Sequence, residues 1–166
     1  MKKRKVCVVI NNRANYARIK SALIAIKENK KLELQIVLGS SAILSRYGAV
    51  SDVIRKDGFK INHIVYTLIE GENLLTMSKS TGLSIMEFST VFDHLKPDIV
   101  VVIADRYETL AAATAASYMN IVLAHTQGGE VTGSIDESVR HAITKLAHIH
   151  FPATELSVKT LIRMGE

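Results

Sequence analysis

The sequence contains a single cysteine and no apolar run that approaches the roughly 20 residues needed to cross a membrane. Cys7 cannot form an internal disulfide and lies inside an apolar run, so we expect it to pack in a core of a cytoplasmic protein. That run, residues 6–10, is too short for a signal-peptide core and is followed at once by Asn11 and Asn12. We therefore expect neither export nor a membrane partner.

The excess of positive charge is also small for a nucleic-acid-binding protein. The net charge is +5, and much of it comes from basic clusters at residues 2–5 and around residues 27–31. Short clusters at a terminus and beside a loop are typical of solvated ends. With 166 residues, nearly half of them apolar, the chain can bury the core of one ordinary domain, residues 1–166. We expect no nucleic-acid partner.

Two common ligand-binding patterns are missing. The turn after the first apolar run lacks the G-x-G-x-x-G fingerprint of nicotinamide and flavin sites. The histidines near the C-terminus, His148 and His150 among them, fit no common zinc spacing. We predict neither a bound metal nor a cofactor.

Short apolar runs alternate with segments of helical period along the whole chain. The apolar runs are residues 6–10, 34–38, 61–66, 99–104, 121–124 and 149–151. The helical segments are residues 16–28, 42–56, 73–95, 108–118, 135–148 and 155–164. This alternation predicts an α/β domain with a doubly wound, Rossmann-like parallel sheet.

Polar residues follow three strands that would be neighbours if the strand order is 3-2-1-4-5-6. The ligand crevice of such a sheet lies at the carboxyl ends of its strands, at the switch point between strands one and four. The residues that this order brings together are Arg13 after strand one, Asp105 and Arg106 after strand four, and His125, Gln127 and Glu130 at the end of strand five. We expect a polar ligand site there.

Several of these residues have structural interpretations as well as functional ones. Arg13 could bind an anion at a helix N-terminus or form an ion pair at a strand edge. Asp105 could act as a general base, pair with Arg106, or cap the next helix. His125 could bind phosphate or shuttle a proton at the mouth of the crevice.

The glycine-rich loop after strand five leads into a helix with a capping-box spacing. Ser134 and Glu137 have the S-x-x-E pattern, so we predict that both serve the helix start. Asp136 is then a spare carboxylate in the first turn, unless it pairs with Arg140 four residues later. Gly128, Gly129 and Gly133 would let the loop approach a ligand closely.

Three motifs together resemble a known enzyme family. The motifs are GGEVTGSIDESVRHAITKLAH at residues 128–148, DRYE at 105–108 and NRANY at 12–16. They are similar to the hydrolysing UDP-N-acetylglucosamine 2-epimerases, in particular the sialic-acid and legionaminic-acid pathway branch. The resemblance implies the N-terminal half of a two-domain, glycosyltransferase-B-type enzyme. The second nucleotide-binding domain is absent from this sequence, and we expect the fragment to be inactive alone.

The resemblance also implies a reaction and a set of site residues. UDP would be eliminated from UDP-N-acetylglucosamine to leave a 2-acetamidoglucal, and water would add to give N-acetylmannosamine. Many relatives have glutamate at the position of Gln127, and an amide cannot take a proton. The implied catalytic residues are Asp105, Asp136, His125 and Glu130, and the implied substrate-binding residues are Arg13, Arg106, Gln127, Arg140 and His141.

The same residues are compatible with two alternative functions, and the resemblance also implies a partner subunit. A glycosyltransferase of the same architecture would need an acceptor before it released nucleotide, and a non-catalytic nucleotide-sugar-binding module would leave its ligand intact. Family members self-associate through this domain, so the resemblance implies a homo-oligomer. The helical segment 73–95 has more apolar residues than one buried stripe requires, which is consistent with a partner subunit on part of it.

Overall fold

The computed structural model describes residues 2–48, 50–71 and 73–166, which form a three-layer α/β/α domain. A six-stranded parallel sheet has the order β3-β2-β1-β4-β5-β6. The predicted α/β class is confirmed, and the strand order is the common one on which the expected ligand crevice depended. Because the chain moves outward from β1 to β3 and then returns to place β4 on the other side of β1, the switch point lies between β1 and β4.

The strands and helices alternate along the described chain. The strands are β1 (Arg4–Ile10), β2 (Leu32–Leu38), β3 (His63–Ile64), β4 (Ile99–Ile103), β5 (Val122–Thr126) and β6 (Ile149–Phe151). The helices are α1 (Arg13–Glu28), α2 (Val50–Lys56), α3 (Leu74–Leu95), α4 (Tyr107–Tyr118), α5 (Ile135–Leu146) and α6 (Glu155–Arg163).

The central strands are apolar on both faces because helices cover both sides of the sheet. Alternate residues of β1 illustrate this: Cys7 and Val9 pack with α3, α4 and α5, whereas Val8 and Ile10 pack with α1 and α2. Burial raises the pKa of the Cys7 thiol to about 12, so this side chain is a packing residue, as expected.

Two predicted elements differ from the structure. The predicted strand 61–66 is reduced to His63–Ile64, because only these residues pair with β2 in the ladder. The predicted helix 42–56 is divided into two 3₁₀ turns, Ser40–Ile43 and Ser45–Tyr47, followed by α2. Gly48 ends the second turn in the left-handed conformation (φ 93°), which a continuous helix cannot contain; Ala49 lies outside the described residues.

The long helix α3 buries one face and exposes the other. Phe88 and Phe92 are buried under the sheet, but Leu74 and Leu75 are 80% and 63% exposed. Homo-oligomerisation through this helix stays a prediction. No helix among the described residues is both long enough and apolar enough to cross a membrane.

Two glycines of the loop after β5 provide a matched test of its packing. Both have positive φ, 84° at Gly129 and 71° at Gly133. A Cβ on Gly129 would lie 2.4 Å from the Ser157 carbonyl oxygen, whereas a Cβ on Gly133 meets nothing within 4 Å.

We expect Gly133→Ala to lower the free energy of unfolding by about 1–2 kcal/mol, the cost of a left-handed L-residue. Gly129→Ala should add the cost of displacing α6, for a further loss of about 1–3 kcal/mol. Urea denaturation of both variants measures the difference. Equal losses would show that α6 does not press on this loop.

Candidate active site

A cavity of about 430 Å³ opens at the carboxyl ends of β1 and β4, at the switch point of the sheet. We call this cavity the crevice. Four of the nine predicted site residues line it: Arg13, Asp105, Arg106 and Asp136. The remaining lining residues are Asn12, Ala14, Asn15, Arg18, Ser41, Tyr47 and Ala104.

Strained backbone surrounds this edge of the sheet. Ser40, Ala104 and Gln127 all have left-handed φ angles, of 50°, 63° and 64°. Each follows a strand directly or by two residues: β2, β4 and β5, respectively. Non-glycine residues in this region cost free energy and are concentrated at functional sites. The sharp turns at Ala104 and Gln127 set the direction of the polar segments that follow.

Helix α1 begins at the crevice and is fixed by asparagines. The Asn12 side chain caps the helix by accepting a hydrogen bond from the Asn15 backbone N–H at 2.8 Å. The Asn15 side chain in turn accepts from the Asn11 N–H at 3.1 Å. Arg13 is thereby placed at the positive end of the helix dipole. This end of α1 is suited to an anion.

Asp105 forms an ion pair with Arg140, and the Arg140 side chain is almost completely buried. Arg140 also donates to the Glu130 carbonyl oxygen at 2.5 Å. Three alternative interpretations are wrong: an Asp105–Arg106 pair, an Asp105 helix cap and an Asp136–Arg140 pair. Arg140 pairs with Asp105 instead, and Arg106 occupies the cap position of α4. Spacing along the chain could not reveal that Arg140 points beneath the crevice and joins β4 to the loop after β5.

His125 lies beneath the crevice and not at its mouth, because its ring is fully buried. Its Nε2 lies 2.8 Å from the Ala104 carbonyl oxygen, and its Nδ1 lies 3.3 Å from the Thr144 hydroxyl. A carbonyl can only accept, so Nε2 carries the proton. Burial lowers the pKa of His125 to about 4. The neutral ring therefore supports the strained turn at Ala104.

The predicted capping box at the start of α5 is also wrong. Ser134 occupies the cap position without a side-chain hydrogen bond. Glu137 instead accepts from the backbone N–H groups of Thr132 and Gly133, at 2.7 and 2.6 Å. These two bonds lower the pKa of the Glu137 carboxyl. Glu137 thus stabilises the glycine-rich loop, and Asp136 remains beside it on the crevice wall.

The other predicted site residues lie around the crevice without lining it. The Gln127 side-chain oxygen accepts a hydrogen bond from Arg18 at 3.1 Å. Glu130 supplies its carbonyl to Arg140, and His141 Nε2 lies 3.8 Å from Glu137. In residues 2–48, 50–71 and 73–166, no group of three or more acidic, histidine or cysteine side chains has the arrangement of a metal site.

Sequence reasoning missed two charged residues of the site. Arg18 lies four residues after Ala14, on the α1 face that lines the crevice, and helical spacing could have found it. Glu108 is buried and bonds to Ser40 and Arg106. As an acid in the first turn of α4 it has the sequence pattern of an ordinary helix start, so no signal distinguished it.

The crevice combines positive charge with two carboxylates. Arg13, Arg18 and Arg106 supply guanidinium groups, and Asp105 and Asp136 supply the acids. Within the described part of the chain, neither Arg13 nor Arg18 has a carboxylate within 4.0 Å. This arrangement can bind an anionic group and place proton-transfer groups next to it.

A second cavity, of about 660 Å³, adjoins the crevice, and both are lined by Tyr47 and Arg106. We call it the side cavity. It lies between the segment before α2 and the start of α3. An ion pair between Arg46 and Glu70, 2.8 Å apart, joins the two sides of its wall.

Comparison with known proteins identifies the family. The family model described as UDP-N-acetylglucosamine 2-epimerase matches residues 24–166. The chain belongs to the UDP-N-acetylglucosamine 2-epimerase family. It is 38% identical over its whole length to the GDP/UDP-N,N'-diacetylbacillosamine 2-epimerase (hydrolyzing) of Campylobacter jejuni, and covers 43% of that protein. It is 39% identical, over 98% of its length, to the UDP-N,N'-diacetylbacillosamine 2-epimerase (hydrolyzing) of Legionella pneumophila, again covering 43%.

Solved structures share the fold of this family member. The UDP-GlcNAc 2-epimerase of Neisseria meningitidis, crystallised with UDP-GlcNAc, superimposes with a TM-score of 0.85 at 20% identity. The superposition covers 98% of this chain and 43% of that epimerase chain. The chain thus spans less than half the length of the relatives that it matches.

The pKa of His125 predicts how stability depends on pH. The unfolded chain protonates this histidine near pH 6.5, whereas the folded chain resists protonation until about pH 4. Its contribution is therefore complete above pH 6.5 and is lost as the pH falls toward 4, by about 3 kcal/mol. Denaturation of the wild type and of His125→Gln, which keeps a donor for Ala104, measures the difference in pH dependence.

The exposed His94→Gln substitution is the matched control and should retain the full wild-type loss between pH 6.5 and 4. If His125→Gln loses stability with falling pH as steeply as the wild type, the histidine is not buried in its neutral form.

Because Arg140 is buried and Arg46 is exposed, we expect replacing Arg140 to destabilise the fold more than replacing Arg46. Arg140→Met leaves a partly exposed carboxylate and a carbonyl without their partner, so we expect it to lower the free energy of unfolding by about 1–3 kcal/mol. Arg46→Met removes a solvent-exposed ion pair and should change the urea midpoint little. Similar midpoints for the two variants would contradict a structural role for the Asp105–Arg140 pair.

Proposed function

We propose that the protein to which this chain belongs is a hydrolysing 2-epimerase of a UDP-2-acetamido sugar, with this domain supplying one wall of its active site. The observation that carries the proposal is the crevice itself, in which two carboxylates and three guanidinium groups meet at the switch point of the sheet. Membership of the epimerase family supports the same assignment.

The reaction proceeds in two balanced steps. A carboxylate removes the C2 proton of the sugar, the C–H electron pair forms a C1=C2 double bond, and the bond between C1 and the UDP oxygen breaks. Water then adds its hydroxyl at C1, and a proton returns to the opposite face of C2, giving the free 2-epimer. Asp105 and Asp136 are the acids placed to exchange these protons.

The cations have the complementary task. Negative charge develops on the UDP oxygen as it leaves, and guanidinium groups stabilise a diphosphate through paired hydrogen bonds. Arg13 combines this chemistry with the N-terminus of α1, and Arg106 and Arg18 line the same space. Arg140 and His125 act from below, by holding Asp105 and the Ala104 turn. The last three predicted site residues lie beside the crevice without lining it: Gln127 and Glu130 in the loop after β5, and His141 in α5.

The sugar is the finer part of the proposal. UDP-N-acetylglucosamine, converted to N-acetylmannosamine, is the substrate implied by the family description. UDP-N,N'-diacetylbacillosamine is the second candidate, since the two relatives at 38% and 39% identity are named for it. Incubating the full-length protein with each sugar nucleotide in turn separates the two, because only the true substrate releases UDP and its 2-epimer at high rate.

The proposal also covers the rest of the protein and its oligomeric state. Because the chain covers only 43% of these relatives, we propose a second, nucleotide-binding domain opposite the crevice and no turnover by this domain alone. We also propose a homo-oligomer, supported by the exposed apolar residues of α3.

Asp136→Asn in the full-length protein is the sharpest test of catalysis. In the described residues the Asp136 carboxylate has no hydrogen-bond or ion-pair partner, so its loss should not affect folding. We expect kcat to fall about 100-fold or more because a proton-transfer group is removed. Asp105→Asn should lower both activity and stability, since it also disrupts the pair with Arg140. Asp52→Asn, on the exposed face of α2, is the control.

Undiminished turnover in both Asp136→Asn and Asp105→Asn would overturn the proposal. Release of UDP only after an acceptor is added would indicate a glycosyltransferase. Recovery of intact sugar nucleotide after long incubation would indicate a binding module without catalysis.

A further inference from the structure

We infer that Glu108 is a positioning residue that holds Arg106 toward the ligand, an inference that rests on the proposed function. Glu108 is a carboxylate in the first turn of α4, and its side chain is 2% exposed. Ionised carboxylates are almost never fully buried unless they are paired. The partners of Glu108 therefore indicate what it is for.

One oxygen of Glu108 binds the strained turn after β2. The Ser40 hydroxyl donates to Oε1 at 2.5 Å. Ser40 is itself fully buried and has a left-handed backbone, with φ of 50°. The bond crosses 68 residues of sequence and joins the loop after β2 to the start of α4. This hydrogen bond fixes one end of the Glu108 carboxylate to the turn after β2.

The other oxygen binds Arg106 through one nitrogen only. Arg106 Nε donates to Oε2 at 3.2 Å, and no hydrogen bond from Nη1 or Nη2 reaches any of the described residues. Arg106 is about half exposed, and it lines both the crevice and the side cavity. A guanidinium has five donors in a fixed plane, so anchoring Nε leaves the remaining donors directed at solvent or ligand.

The arrangement is suited to a diphosphate. A long arginine side chain loses considerable rotamer entropy when it grips a ligand, and an anchor at Nε removes part of that cost before binding. The Tyr107 ring also lies against the guanidinium, 5.7 Å from its carbon. Glu108 thus acts on UDP through Arg106 and does not itself touch the substrate.

A double-mutant cycle on UDP affinity tests the inference. In the full-length protein, Glu108→Gln should weaken UDP binding about tenfold, since it replaces a charged hydrogen-bond acceptor with an amide of the same shape. Arg106→Lys, which cannot offer the planar fork, should weaken it by at least as much. The double variant should bind no more weakly than Arg106→Lys alone, because the carboxylate acts only through the arginine. Isothermal titration with UDP measures all four affinities.

The same UDP titration includes a control variant and gives the results that would contradict the inference. Glu28→Gln, exposed at the last residue of α1, should bind UDP as the wild type does. A folded Glu108→Gln with wild-type affinity, or a double variant whose losses add, would overturn the inference while leaving the proposed function intact. A wild-type protein that does not bind UDP would overturn both.

A milder variant covers the case in which Glu108→Gln does not fold. Ser40→Ala removes only the hydroxyl that anchors Oε1, so the carboxylate loses its fixed position but keeps its charge. We expect a folded Ser40→Ala protein to bind UDP about threefold or more weakly. Wild-type affinity in that variant would contradict the positioning role.

Discussion

The ion pair between the buried Arg140 and the partly exposed Asp105 is the interaction on which the rest of the site depends. It joins α5 to the end of β4 and, through the Glu130 carbonyl, to the glycine-rich loop. Breaking one partner would leave an uncompensated charge beneath the crevice. Because the pair fixes Asp105 at the switch point, it also determines where Arg106 and the first turn of α4 begin.

Three polar groups around this pair have structural partners and leave the crevice-lining residues free for a ligand. The neutral His125 ring holds the Ala104 turn, Glu137 holds the glycine-rich loop, and Glu108 anchors Arg106. Asp136 lines the crevice without a hydrogen bond of its own in the described residues. The residues that would face a ligand are therefore held in place before the ligand binds, which is the condition for electrostatic stabilisation of a transition state.

The sequence predicted the sheet, and some of the residues that line the crevice, better than it predicted which side chains form hydrogen bonds or ion pairs with each other. Alternating apolar runs predicted the α/β class, and the common strand order placed Arg13, Asp105 and Arg106 at the crevice, as the structure does. Of the residues expected at the end of β5, none lines the crevice; Asp136, at the start of α5, does. Local spacing failed where distant residues compete for the same side chain. Arg140 binds Asp105 in place of its helical neighbour, and Glu137 binds loop amides in place of the Ser134 cap position. Such choices depend on three-dimensional proximity, which spacing rules do not contain.

Elimination followed by hydration leaves a chemical record that binding or transfer does not. Turnover of the UDP-2-acetamido sugar by the full-length protein in D₂O should give the free 2-epimer with one solvent deuterium at C2, together with UDP. This result requires that the C2–H bond be broken and remade with a proton from solvent. Release of UDP with a free sugar that retains its original hydrogen and configuration at C2 would contradict the account.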